Sequence, residues 1–165
     1  MLTIQYSPQD DLKNWLRLQR VDGACFQFTQ DYPFQRDIPL IIENQDQLIK
    51  SLNLEVLAHY QSTAKLIEKT WTEREVGELS KIAAYLNIPT IQINAKASLT
   101  TAYKMPYDYK FEWFMIQACK PLEWQMNNIV HEIFHICQLR QDPDMLQSRR
   151  EREVERYLEY RSKQV

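Results

Sequence analysis

Apolar positions recur at helical spacing over much of this chain, and alternate only in short stretches. Thr3 to Tyr6 reads as a brief strand. Leu12, Trp15, Leu16 and Leu18 then mark an amphipathic helix over Pro8 to Arg20, with Pro8 suited to its first turn. Val21 to Asp37 mixes aromatics with Gly and Pro and reads as irregular, and Pro39 to Glu43 as a strand. Leu48, Leu52, Val56, Leu57 and Ile67 predict a long helix capped by Asn44 or Asp46 and running to about Lys69. Thr72-Glu73-Arg74-Glu75 has the form of a capping box, so a second helix is expected from Glu73 to Leu86, ended by Asn87 and Pro89.

Beyond Ile88 the period shortens. Thr90 to Asn94, Thr100 to Lys104 and Lys110 to Ala118 are strand-like, with Met105 to Asp108 as a turn between the last two. Pro121 opens a helix to Arg140. The break at Gln141-Asp142-Pro143-Asp144 lets Asp144 cap a last helix, Met145 to Ser162. The expected fold class is α+β: a helical N-terminal part, a small, mainly antiparallel sheet, and a C-terminal helical hairpin. One domain is expected over 1–165, with 1–87 as scaffold or substrate-selecting part and 88–165 carrying the chemistry.

Composition narrows the function classes. Two glycines, Gly23 and Gly77, are too few for a P-loop or a dinucleotide-binding turn. A net charge of −2 supplies no field for a phosphate backbone, and the arginines of 149–156 are interleaved with glutamates, so no nucleic-acid partner is expected. Cys25, Cys119 and Cys137 are scattered and fit a reducing compartment. No signal peptide is read at the N-terminus, and the longest apolar runs, such as Ile38 to Ile42, are too short for a membrane span. These features together lead us to expect a cytoplasmic protein with no membrane partner.

The chemistry is carried by His131-Glu132-Ile133-Phe134-His135, an HExxH. Residues four apart share a helix face, so both imidazoles can reach one Zn²⁺, with Glu132 beside them as general base. The surrounding helix is apolar over most of its circumference, and a buried His, Glu and His need partners that a metal would supply. A third ligand is expected from the return helix. At about 1.5 Å per residue, Glu151 lies level with the midpoint of the two histidines and Glu155 level with His131. Glu151 is therefore the expected third metal ligand. Glu155 is expected to orient His131 from behind. Asn128, one turn before His131, is placed to line the cleft. His59 is expected at a helix surface or core edge. Phe111, Trp113, Phe114 and Trp124 are expected to pack between strand and helix, and Cys137 to be buried.

These residues resemble the gluzincins, HExxH metallopeptidases whose third ligand is a glutamate on a following helix. More narrowly, Glu151-Arg152-Glu153-Val154-Glu155 is similar to the E-x-E-A-(N/D) element of the compact ImmA/IrrE-type metallopeptidases, over roughly Ile88 to Tyr160. Phe134 stands where that family often has Gly, and Glu155 where it has Asn or Asp. The resemblance implies a zincin-like hairpin and a zinc-dependent endopeptidase acting through a metal-activated water. The substrate would be a protein or peptide, in some members a DNA-binding transcriptional repressor. Tyr103, Tyr107 and Tyr157 are candidate donors to the oxyanion, unranked. The alternative is a non-enzymatic interaction or regulatory module in which the HExxH is structural or a relic.

Overall fold

A computed structural model describes residues 1–22, 54–102 and 105–164. The expected strand Pro39 to Glu43, the helix start at Asn44 or Asp46, most of the irregular Val21 to Asp37 segment and Tyr103 lie outside these residues. The described elements run β1 (Thr3–Gln5), α1 (Pro8–Asp22), α2 (Leu54–Leu86), β2 (Lys96–Thr100), β3 (Tyr107–Asp108), a 3-10 turn (Tyr109–Phe111), β4 (Trp113–Gln117), α3 (Leu122–Gln141) and α4 (Gln147–Ser162). The class is α+β.

The sheet differs from the antiparallel expectation. Its order is β1-β2-β4-β3; β1 pairs with β2 and β2 with β4 in parallel, and the β3–β4 pair is antiparallel. Parallel neighbours need a connection long enough to cross over. Helices α1 and α2 lie on the path from β1 to β2. Between β2 and β4 the described residues include β3 and the 3-10 turn. Residues Tyr107 and Asp108, expected in a turn, thus form the sheet's edge. Thr90 to Asn94 is not a strand; the central position is taken by Lys96–Thr100. That position is buried on both faces from Ala97 to Thr100, which suits small and apolar side chains and would strand Gln92 and Asn94. Thr100 closes β2, and Thr101 and Ala102 bend away.

The two helices expected around Thr72 are one, α2. Tyr60, Ala64, Ile67, Trp71, Glu78 and Ile82 are all buried, a stripe at steps of four, three, four, seven and four that continues on one helix face past Thr72. The Thr72 hydroxyl donates back to the Glu68 carbonyl at 2.9 Å instead of capping a new start. Asn87 does end the helix, in the left-handed conformation at φ 53°, and the Ile88 N–H reaches the Ala83 carbonyl at 3.0 Å. Helix α4 starts after Leu146, with no side-chain cap, so Asp144 does not play the expected role. Among the aromatics expected inside, Phe114 is fully buried, whereas Phe111 and Trp124 are exposed.

One core joins these layers. Leu99, Phe114 and Ile116 of the sheet meet Ile67, Trp71 and Ile82 of α2 and Ile129, Ile133 and Phe134 of α3. Helix α3 is buried on nearly all sides. Phe134 stacks on Tyr157 of α4 with ring centroids 4.6 Å apart, and Tyr85 of α2 closes the group at 5.2 Å from Tyr157. Arg161, in the last turn of α4, grips Glu78 of α2 through two hydrogen bonds of 2.6 and 3.0 Å. Phe134 thus ties α4 to the helix that carries the HExxH, and Tyr85 and Glu78 tie it to α2.

Candidate metal centre

Helix α3 carries a polar stripe through its apolar surface: Gln125, Asn128, His131, Glu132, His135 and Gln138 recur at steps of three and four. His131 and His135 turn their Nε2 atoms to within 3.0 Å of each other. Across the hairpin, Glu151 brings Oε2 to 3.5 Å from His135 Nε2 and 3.7 Å from His131 Nε2. Donors around a tetrahedral ion with bonds of about 2.1 Å stand about 3.4 Å apart, so these three separations fit one cation. Among the described residues, His131, His135 and Glu151 form the group of such side chains that could hold a metal ion, with all ligand atoms within 4.8 Å.

Both imidazoles are held in a form that could bind a cation. His135 is buried, and its Nδ1–H donates to Gln138 Oε1 at 2.9 Å, leaving the Nε2 lone pair facing Glu151 and His131. Burial, and then the neighbouring His135, pushes His131 down to about 4, with Glu151 opposing. Burial also lowers His135. Both rings are therefore neutral at neutral pH, the form that binds a cation.

Glu132 is the buried acid of the stripe. Its Oε2 accepts from the Tyr109 hydroxyl at 2.9 Å and its Oε1 from Asn128 Nδ2 at 3.3 Å. Burial raises its carboxyl to about 7; the two donors pull the other way and Glu151 adds to the rise. A carboxylate near neutrality is suited to taking and returning a proton.

His131, His135 and Glu151 converge, with Glu132 and Asn128 beside them. Glu155 is exposed. The inward face of α4 is set by Val154 and Tyr157, and at about 100° per residue Glu155 is turned about 40° further from it than Glu151. Gln138 orients a histidine where Glu155 had been expected to, and the ring concerned is His135. Its place three residues past His135 on the same helix was a usable signal. Tyr109 had no local signal, because the turn that carries it joins the site only through the fold. Its ring lies 5.5 Å from that of His135 and stacks on Tyr107 at 4.3 Å, and the Arg150 guanidinium sits 5.6 Å from its centroid. Of the expected oxyanion donors, Tyr157 is buried against Phe134, and the Tyr107 hydroxyl accepts from Gln147 at 3.3 Å. His59 is exposed and Cys137 buried, as expected.

No protein-family model, no curated protein and no solved structure matches this chain. Among the described residues, no helix is long and apolar enough to cross a membrane.

Proposed function

We propose that this chain is a zinc-dependent endopeptidase of the gluzincin type, acting on an intracellular protein or peptide. One observation carries the reading: two neutral imidazoles and a carboxylate from a second helix meet at separations that suit one tetrahedral cation, beside a buried glutamate. His131, His135 and Glu151 would hold the ion. When bound, zinc supplies Lewis acidity to a water and to the substrate carbonyl. Glu132 takes the proton from the attacking water and passes it to the leaving amine. Gln138 fixes the tautomer of His135 that keeps Nε2 unprotonated. The donor set favours zinc, and iron, cobalt and nickel share its preference for imidazole.

Metal analysis and a cleavage assay test this together. The purified chain should carry about one zinc, lost in His131→Ala and in Glu151→Ala. Glu132→Gln should keep the metal and lose hydrolysis. Full zinc retention in Glu151→Ala would refute the ligand set, and an unchanged rate in Glu132→Gln would refute the mechanism.

A second reading rests on the 3.0 Å contact between His131 Nε2 and His135 Nε2, which also suits one shared proton. In that reading the stripe is a structural polar network in an interaction module. A chain that binds no zinc at neutral pH would favour it.

A further inference from the structure

The turn before β4 is built more firmly than three residues of 3-10 helix require. Asp108 caps it, its side chain accepting from the Lys110 N–H at 3.1 Å. Glu112 ends it in the left-handed conformation at φ 50°, which is strained for a residue other than glycine. Glu112 is held there from two sides. Its carbonyl accepts from the Lys96 N–H at 2.9 Å. Its carboxylate is gripped by Arg140, whose Nε donates at 2.9 Å and whose Nη2 makes a second bond. Arg140 belongs to α3, two turns beyond Glu132. The turn is thus riveted to the helix that carries the HExxH, and from that anchor Tyr109 reaches back to Glu132. Tyr107 stacks on its ring, and the Arg150 guanidinium lies over it.

We propose that Tyr109 is a positioning residue for Glu132, delivered by a turn that the Arg140–Glu112 pair locks to α3. This rests on the peptidase reading for its catalytic consequence. A glutamate side chain has several rotamers and gains entropy by sampling them. The Tyr109 hydroxyl bonds Oε2 and the Asn128 amide bonds Oε1, so both oxygens are pinned and each keeps a lone pair for a further partner. A base held in one orientation avoids the loss that small misplacements cause. Tyr109 touches the reaction only through that carboxylate.

Tyr109→Phe removes one oxygen and keeps the ring contacts, so the fold should persist. Crystal structures of the wild-type chain and of Tyr109→Phe, each without metal and after zinc addition, read the orientation directly. The Glu132 carboxylate should leave its wild-type orientation in the variant, with zinc content unchanged. On fluorescein-labelled casein, kcat should fall at least tenfold with KM within about twofold. Tyr109→Phe combined with Glu132→Gln should be no slower than Glu132→Gln alone. Disrupting the anchor with Glu112→Gln should produce the same displacement in milder form. An unmoved Glu132 in Tyr109→Phe, or a kcat equal to wild type, would overturn the proposal. Failure of the wild-type chain to bind zinc would overturn the peptidase reading instead, and the metal-free structures would still decide whether Tyr109 orients Glu132.

Discussion

A buried acid that is raised to about 7 burdens the fold that holds it. The sign follows from linkage. Glu132 keeps its proton in the folded state up to about 7, whereas the unfolded chain releases it near 4.5. Folding is therefore progressively disfavoured between those values as pH rises, and the cost is constant above them. Metal-free Glu132→Gln should be more stable than wild type at pH 8, by about 2–3 kcal/mol, with the gap closing toward pH 5. Urea unfolding at both pH values checks this, and a gap independent of pH would refute it. Gln138 is the complementary case. Replacing it with Leu frees His135 to rotate and to change tautomer, so zinc affinity should fall about 10- to 100-fold in a chelator competition. The HExxH and the level of Glu151 were legible because helix rise and periodicity fix them. Tyr109 was not, since only the pairing of β3 with β4 and the packing of the turn between them bring it to Glu132.

At the scale of elements, the hairpin depends on α4 being held at both ends. Glu151 near its start faces the histidines, and Arg161 in its last turn is paired with Glu78, which is 8% exposed. Arg161→Ala would leave the Glu78 carboxylate with Lys81, whose Nζ lies 3.5 Å from Oε1, as its remaining cation, a loss of about 1–3 kcal/mol, measurable by urea unfolding. Burial raises Glu78, but the Arg161 bonds and charge, with Lys81 adding to them, outweigh it and leave its carboxyl below the usual range. This stabilisation is present above about 4.5 and fades as pH falls through the lowered folded value, so the wild-type advantage over Arg161→Ala should shrink in acid. The element boundaries show where sequence reading stops. The Thr72 capping box was a sound local signal, overridden because the buried stripe from Tyr60 to Ile82 continues through it. The β-branched Thr90 to Asn94 lost its place to Lys96–Thr100 because a strand buried on both faces selects against amides. Local propensity could not report either competition, since both are decided by what packs opposite.

Across the whole molecule, the helix that carries the HExxH and its partners meet at the aromatic joint of Phe134, Tyr157 and Tyr85. Phe134 is fully buried and immediately precedes His135, so the residue that ties α3 to α2 and α4 lies behind the face that presents the imidazoles. Its size was visible in the sequence as a departure from a common glycine; its role was not, because the rings it stacks on are distant in the chain. Phe134→Ala should cost about 3–5 kcal/mol, and Phe134→Leu about 1–2. The alanine variant should also bind zinc more weakly, because Glu151 reaches the histidines only if α4 stays docked through Tyr157. Zinc and the joint are then linked: a ligand that binds only the folded hairpin adds about 2.7 kcal/mol at a hundredfold excess over Kd. Unfolding midpoints measured with and without zinc should therefore show a smaller zinc-induced gain, at the same free zinc, in Phe134→Ala than in wild type. Equal gains would mean that the cluster assembles independently of the helix packing around it.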